Sequence, residues 1–348
     1  MATLHQLLLR LASSGQDELV RECRGLLAGG DTRELTEVLA TGLLIAREQL
    51  TLDELGVLRS TLDESDPAVA LLDEVGVSDE AGVLAASART ARLWSFSPFV
   101  DDDLGMPADL TGPAAGQLDA VDRAVLDVAA ADPASVAVWR AWRRPGSGAG
   151  WPAPCRIFLV SLAPTATASV AADLANRLAR ASDGPDGACC MVEVEAAATR
   201  PNPYAASARA TSALLWARAE LPVVRLAREP AEHRPAAASS STPALLTALR
   251  SAPLVVAATE RVDDRVDHRR GAVVPTSLRS DGRWVWPESL AYYLEQHGVP
   301  LDPELGDHLL EQVAQGDPAT AELDEVTRHR VLAAAFGLAA HHEAVTPT

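Results

Sequence analysis

Hydrophobic residues recur at helical spacing through the first 93 residues. Stretches such as LHQLLLRLA and ELTEVLATGLLIAREQ carry an apolar side chain at every third or fourth position, which is typical of amphipathic helices. Two capping-box patterns, in which a short polar residue is followed three positions later by an acid, mark helix starts at Asp31 and Thr51. The pattern predicts an N-terminal helical domain over residues 1–93.

Residues 94–154 are rich in Pro, Gly and Asp and predict a linker that contains one helix. That helix begins near Leu118 and runs into SVAVWRAWRR, where the arginines are interpreted as cations near its carboxyl end. The G-x-G-x-G of the following RPGSGAGWPAP has no strand before it and prolines after it. It is therefore interpreted as a linker and not as a dinucleotide-binding loop.

The periodicity changes over residues 155–300. Short apolar runs (CRIFLVSL, ACCMVEVEA, LPVVRLA and PLVVAAT) alternate with helical stretches (ASVAADLANRLARA, PYAASARATSALLWARAE and TPALLTALRS). This alternation predicts an α/β domain with a short, mainly parallel or mixed sheet, and a ferredoxin-like arrangement is the competing topology. Residues 301–348 are interpreted as C-terminal helices and a tail. The fold class predicted for the whole chain is α + α/β.

The stretch SDGRWVWPESLAYYLEQHGVP, residues 280–300, predicts a hairpin followed directly by a helix. Asp281-Gly282 is typical of a tight turn between two strands. Pro287 suits the first position of the helix, and Gly298 suits the left-handed residue that closes it. Local turn and helix rules therefore account for every residue here with special backbone behaviour.

The aromatic residues of this stretch leave two interpretations open. In the first, Trp284, Trp286 and Tyr293 pack in a core. In the second, a ligand or partner surface includes Tyr292 and Arg283 together with the tryptophans. The candidate interaction residues are Trp284, Trp286, Tyr292 and Arg283.

The pattern D-G-x-W-x-W, then Y-Y-L, then H-G resembles the carboxyl-terminal part of uncharacterised proteins from high-GC Gram-positive bacteria. The resemblance covers residues 270–310 and extends to WRAWRRP near 139–145. It implies a bacterial source and no particular activity, cofactor or catalytic residue.

Composition excludes several classes of enzyme. The chain has no lysine, and all thirty of its basic residues are arginine. A Walker P-loop, a pyridoxal-phosphate Schiff base and the strand lysine of a protein kinase are therefore excluded. The four cysteines lack zinc-ligand spacing, and the adjacent Cys189-Cys190 falls in an apolar strand and is interpreted as core. No cofactor is expected.

Charge is distributed unevenly along the chain, whose net charge is −18. Residues 1–135 carry 24 acids and nine arginines, 136–290 carry 14 acids and 19 arginines, and 291–348 carry ten acids and two arginines. Acidic ends around a mildly basic middle argue against nucleic-acid binding. No apolar run is long enough to span a membrane, and the N-terminus has no export pattern, so a cytoplasmic protein is expected.

Two candidate sites contain charged residues. If the sheet is parallel, the ends of its strands gather Thr165, Arg200, Asn202, Arg228 and Arg261, which suit a small anionic ligand or the chain's own acidic segment at 101–103. The alternative is that these arginines are simply solvated. In ERVDDRVDHRRG a helix would place Asp264 and His268 on one face as metal ligands, but the interleaved arginines favour a self-paired surface turn.

The chain is predicted to be a non-enzymatic protein-interaction or regulatory protein with a protein partner. The alternatives are an enzyme, or a sensor of an anionic ligand that uses the arginine-lined crevice. An enzyme should show a pocket with an acid or base of strongly shifted pKa, and a sensor should show a pocket with arginines only. An interaction protein should show an exposed apolar patch and neither kind of pocket.

Overall fold

The chain, seen here in a computed structural model, is described over residues 3–102, 105–111, 117–146, 152–182, 190–196, 203–230, 240–315 and 322–343. It divides into two compact units, Met1–Ala219 and Glu220–Thr348. Helices and mixed sheets are both present, as the α + α/β prediction required. No helix among the described residues is long and apolar enough to cross a membrane.

Unit 1 begins with the helices that the sequence predicts for residues 1–93. They are α1 (Leu4–Leu11), α2 (Asp17–Gly29), α3 (Thr32–Ala46), α4 (Leu52–Arg59), α5 (Ala68–Glu74) and α6 (Glu80–Ala91). Thr51 forms the predicted capping box, with its backbone N–H donating to the Glu54 carboxylate at 2.8 Å. The Asp31 side chain makes no capping hydrogen bond at the start of α3, so that detail was wrong.

The remaining part of unit 1 is a mixed sheet with three helices. The strands are β1 (Trp94–Ser97), β2 (Ala108–Asp109), β3 (Ser135–Pro145), β4 (Cys155–Leu162), β5 (Cys190–Ala196) and β6 (Ala213–Ala217); the helices are α7 (Ala120–Ala131), α8 (Ala168–Ser182) and α9 (Pro203–Ala210). The strand order is β2-β6-β3-β4-β5, and β1 pairs with β3. Only β4–β5 and β2–β6 are parallel, so the mixed form of the prediction holds.

Two segments predicted as helical are strands. SVAVWRAWRR belongs to β3, inside the segment predicted as a linker with one helix, and ALLWA is β6. In β3 the side chains alternate between the two faces of the sheet, and Arg140 and Arg143 are buried on opposite faces. The arginines suggested a solvated helix end because a sequence does not show which charges are paired in the interior.

One face of the sheet in unit 1 is apolar and packs on α7 and α8. Val138, Phe158 and Val192, on neighbouring strands, are buried in one cluster with Val125 of α7 and Leu174 of α8. Successive residues of a strand point to opposite faces, so Trp139 and Glu193 belong to the other face. That second face lies on the side of the N-terminal helices.

Unit 2 contains a four-stranded sheet, a separate two-stranded sheet and four helices among its described residues. Its elements are β7 (Arg225–Leu226), α10 (Thr242–Ser251), β8 (Leu254–Val256), β9 (Arg261–Asp263), β10 (Ala272–Pro275), β11 (Leu278–Ser280), β12 (Trp284–Pro287), α11 (Ser289–His297), α12 (Pro303–Gln315) and α13 (Glu325–Glu343). The larger sheet has the order β7-β12-β11-β8, and β9 pairs with β10.

The predicted hairpin-then-helix unit is present in unit 2. β11 and β12 are antiparallel and are joined at Asp281-Gly282, and Gly298 closes α11 in the left-handed conformation with φ of 64°. The helix begins at Ser289, slightly later than predicted, because Pro287 ends β12. Trp286 is 1% exposed and its indole N–H donates to the carbonyl of Leu249, in agreement with the core interpretation of this ring.

Substitution of Gly282 by alanine should destabilise unit 2. Gly282 has φ of +89°, and an added Cβ would lie 2.9 Å from the Thr327 side chain. Strain and contact together should cost about 1–2 kcal/mol. Gly306→Ala, inside α12 where an added Cβ meets nothing within 4 Å, should instead stabilise by roughly 0.5–1 kcal/mol. Urea unfolding of the two variants checks the opposite signs, and equal effects would contradict this account of the turn.

Candidate functional site

The sheet face toward the N-terminal helices carries buried charge. Glu193 and Glu195 lie two residues apart on β5 and so share this face. Arg24 of α2 donates to Glu193 at 2.6 Å, and Arg209 of α9 pairs with Glu195. The side chains of Arg24 and Glu193 are both almost fully buried. Two helices from different parts of the chain are therefore fixed to one strand by ion pairs.

The outer edge of β5 is covered by side chains that donate to its carbonyls. Because β5 is the last strand in the sheet order, one side of its backbone has no strand partner among the described residues. Arg24 donates to the carbonyl of Val192, and the His5 ring lies 2.8 Å from the carbonyl of Val194. Helices α1 and α2 thus protect this edge from pairing with another chain.

Arg143 is the centre of a second group on the same face. Its guanidinium donates to the Tyr204 hydroxyl at 3.1 Å and to Asp17, the first residue of α2. It also stacks over the Trp94 ring, with its central carbon 4.3 Å from the ring centroid. The Trp94 indole donates in turn to the carbonyl of Ser13 at 2.9 Å. Asp17 at the start of α2 and Arg24 in its second half therefore both attach this helix to the sheet through charge.

The opposite face of the sheet uses the same chemistry to hold α7. Arg140 of β3 pairs with Asp122, whose side chain is fully buried, and also donates to the carbonyl of Pro98 at 3.1 Å. Arg156 of β4 reaches Asp119 at 2.6 Å and Asp122 at 3.5 Å. Burial raises the pKa of Asp122. Arginine–carboxylate pairs therefore attach helices to both faces of the sheet.

The ionisable groups with the largest pKa shifts in unit 1 are buried. Burial raises the pKa of Glu193 to about 7 and lowers the pKa of His5 to about 4. Burial also raises the pKa of the Tyr204 hydroxyl and brings the pKa of the Cys23 thiol to about 12. None of these groups is exposed enough to meet a substrate. The shifted pKa values of these groups therefore follow from their burial between the helices and the sheet.

The buried state of Glu193 predicts a pH dependence of stability. Its pKa rises from 4.5 to about 7 on folding, so the folded state holds this proton more tightly than the unfolded chain does. The stability that this proton gives is complete below pH 4.5 and is lost as the pH rises to about 7. The free energy of unfolding of the wild type relative to Glu193→Gln should therefore fall across this window.

Urea unfolding of the full chain and of its Glu193→Gln variant at a series of pH values measures this difference. Glu18→Gln, at an exposed position of α2, is the matched control. A wild-type minus Glu193→Gln difference that stays constant between pH 4.5 and about 7 would show that Glu193 ionises at its ordinary pKa in the fold.

In unit 2, Asp264 is a buried carboxylate that accepts hydrogen bonds at both oxygens. Oδ1 accepts from the backbone N–H groups of Val266 and Asp267, while Oδ2 lies 2.7 Å from both the Tyr292 hydroxyl and His297 Nε2. Burial would raise the pKa of Asp264, but these hydrogen bonds outweigh it and hold the pKa well below its ordinary value. The segment after β9 is thereby fixed to α11.

The tryptophans and tyrosine of the predicted partner surface are engaged inside unit 2. Trp284 and Trp286 are buried, so neither indole presents a face to a partner. The Tyr292 hydroxyl donates to Asp264 and accepts from Arg270 at 3.1 Å. Arg283 is exposed at the hairpin turn. Of these four residues, Arg283 alone has its side chain mainly in solvent.

The predicted arginine crevice required one parallel sheet. The strands that were to form it belong to two sheets, since β4 and β5 lie in unit 1 and β7 and β8 lie in unit 2. Arg228 is exposed after β7, and Arg261 donates to the carbonyl of Val273 at 2.7 Å. Arg200 and Asn202 lie outside the described residues. The premise that a single sheet gathers these side chains is therefore not met.

Among the described residues, no cluster of three or more His, Cys, Asp and Glu side chains could hold a metal ion. Asp264 and His268 do not form the helical pair considered for a metal, because His268 begins a short 3-10 turn and is exposed. The described cysteines, Cys23, Cys155 and Cys190, are free thiols. Cys189 lies outside the described residues.

An exposed apolar corner remains on unit 1. Ile45 at the end of α3 is 81% exposed, Leu52 at the start of α4 is 73% exposed, and Val77 is 43% exposed. Leu50 pairs with Val77 in a short parallel bridge, so the backbone of 76–78 runs beside the α3–α4 connection. The bridge joins two of these chain segments, and Ile45 precedes the bridged Leu50 by five residues. We call Ile45, Leu52 and Val77 the apolar corner.

Acidic side chains flank the apolar corner along the sequence. Asp53, Glu74 and Asp79 are exposed, and the exposed Arg47 offsets part of their charge. Arg47, between Ile45 and Leu52, has φ of 55° and is the one non-glycine residue with positive φ in the described part of the chain. Such backbone strain is tolerated where the surrounding structure or a function requires it. The corner combines exposed aliphatic groups, negative charge and a strained connection.

The sequence contained a signal for this corner that the helical pattern obscured. The buried stripe of α3 includes Leu35, Leu39 and Leu43, spaced four residues apart. Ile45 follows Leu43 by two positions, which places it on the opposite side of the helix. An isoleucine off the buried stripe, in a chain that has only two, is an unusual feature.

No family model, curated protein or solved structure matches this chain. The arrangement of its own residues is therefore the basis on which a function can be proposed.

Proposed function

We propose that this chain is a non-enzymatic interaction or regulatory protein of the cytoplasm. Its apolar corner docks a protein segment that carries aliphatic side chains flanked by basic residues. The observation that supports the proposal most is the exposure of Ile45 and Leu52, at 81% and 73%, within one connection between two helices. Aliphatic side chains grouped in this way are typical of protein-binding surfaces.

The chemistry of the partner follows from the charges around the corner. Asp53, Glu74 and Asp79 would repel an acidic segment and attract a basic one. Burial of the Leu52 side chain against the partner would supply about 1.5–3 kcal/mol. The acidic rim would contribute mainly to the rate of encounter and to the choice of partner.

The enzyme and sensor alternatives have less support. The groups with strongly shifted pKa values in unit 1, such as Glu193 and His5, are buried and paired within the protein. The buried arginines of unit 1 are paired with carboxylates, which leaves them no role in holding an anion. An exposed apolar patch is the feature expected of an interaction protein.

Binding of a fluorescein-labelled amphipathic peptide built from leucine and arginine tests the proposal. The wild-type protein should raise the fluorescence anisotropy of this peptide. Leu52→Asp should weaken binding by about tenfold or more, because it removes the apolar contact. Val223→Asp, which alters a side chain that is 76% exposed in unit 2, should leave the affinity unchanged.

A second peptide, in which serine replaces every leucine, separates apolar docking from attraction of opposite charges. It should bind more weakly than the amphipathic peptide and should not distinguish the wild type from Leu52→Asp. Equal affinity of the amphipathic peptide for the wild type and Leu52→Asp would overturn the proposed function.

A further inference from the structure

The β9–β10 hairpin of unit 2, residues 261–275, has the composition that would complement the apolar corner. It forms a two-stranded sheet that does not join the four-stranded sheet. Val262 is 42% exposed and Val266 is 36% exposed. We call residues 261–275 the basic arm.

The basic arm presents positive charge. Its four arginines, Arg261, Arg265, Arg269 and Arg270, are all exposed. Arg261 donates to a backbone carbonyl, and Arg265 forms an ion pair with Glu229 at 3.4 Å. Arg270 donates to Tyr292 and Gln296 and lies 3.8 Å from Asp267. Arg269 makes no ion pair within the described residues. Aliphatic side chains flanked by arginines are the chemistry that the corner requires.

The acids of the basic arm cancel only part of this charge. Asp264 is buried, and its oxygens accept hydrogen bonds from backbone N–H groups, Tyr292 and His297. Asp263 and Asp267 are the other acids of the arm. Four arginines against three aspartates leave the arm with one positive charge in excess, and the buried Asp264 is the acid least able to face a neighbouring molecule.

We propose that the basic arm of one copy docks on the apolar corner of a second copy, so that the chain associates with itself. This inference rests on the proposed function of the corner and names its occupant. Val262 and Val266 would pack on Ile45 and Leu52, and the arginines of the arm would face the acidic rim. The two surfaces differ from each other, so the contact is heterologous and each copy offers one surface of each kind.

A heterologous contact makes a specific prediction for mixtures of variants. A copy changed at the corner keeps an intact arm, and a copy changed at the arm keeps an intact corner. Neither variant can associate with itself, but the two together can form one intact contact. A contact of corner with corner would not behave in this way, because the arm variant would then associate normally.

Sedimentation velocity of the full chain over a range of concentrations tests the proposal. The wild type should sediment faster as concentration rises, and high salt should weaken this because the rim charges are screened. Leu52→Asp and Arg265→Glu should each sediment as monomers at every concentration. An equimolar mixture of the two variants should again contain a dimer. Val223→Asp and Arg123→Glu, at exposed positions outside both surfaces, should behave as the wild type does.

Three results would overturn the inference. They are a wild type that is monomeric at all concentrations, association that survives Arg265→Glu, and a mixture of variants that stays monomeric while each is shown to be folded by circular dichroism. A wild type that is monomeric at all concentrations would leave the proposed function intact, provided that the amphipathic peptide binds the wild type and does not bind Leu52→Asp. Loss of peptide discrimination would instead remove the proposed function itself.

Discussion

Burial of arginine against carboxylate is the interaction on which unit 1 depends. Helix α2 contacts the sheet through Arg24 with Glu193 and through Asp17 with Arg143, and α7 contacts the opposite face through Asp122 with Arg140. A chain without lysine has only arginine for this purpose. Its planar guanidinium has five donors and can satisfy a carboxylate and a backbone carbonyl together, as Arg24 and Arg140 both do.

In unit 2, buried aspartates attach helices to the rest of the unit. Asp281 accepts from the backbone N–H groups of Arg283 and Trp284 with one oxygen, and its other oxygen contacts His308 at 2.5 Å and Gln312 at 2.9 Å. Asp264 is held in a similar way by α11. Each carboxylate connects a turn to a helix that follows it in the chain. A buried charge is stable only when its hydrogen-bonding partners are in place, so Asp264 and Asp281 have a structural role.

The pairing of these charged side chains bears on where a partner can bind. The buried arginines and carboxylates are largely paired with one another. What remains unsatisfied is hydrophobic: Ile45 and Leu52, on a connection whose backbone is strained at Arg47. An apolar group in water has no partner to compensate it, whereas the buried ion pairs do. Ile45 and Leu52 are the two most exposed large hydrophobic side chains among the described residues of unit 1.

The sequence predicted several turns and helix ends correctly, although the Asp31 cap and the start of α11 at Pro287 were wrong. Thr51 forms its capping box, Asp281-Gly282 joins a hairpin, and Gly298 closes α11 with positive φ. It failed where pairing partners are distant in the chain. β3 was interpreted as a helix because Arg140 and Arg143 suggest solvent, and their partners Asp122 and Asp17 lie 18 and 126 residues away. The division of the strands between two sheets depends on such distant contacts as well, and this removed the premise of the arginine crevice.

A double-mutant cycle on Arg24 and Glu193 tests the central claim, that buried ion pairs hold the helices of unit 1 to its sheet. Arg24→Met and Glu193→Leu are compared singly and together by urea unfolding at a pH well above 7, because Glu193, whose pKa is raised to about 7, is ionised only there. Each single change should cost about 3–5 kcal/mol because it leaves one buried charge without its partner. The double change should cost clearly less than the two single changes added together. Single changes that are nearly neutral, or costs that simply add, would contradict this account of the fold.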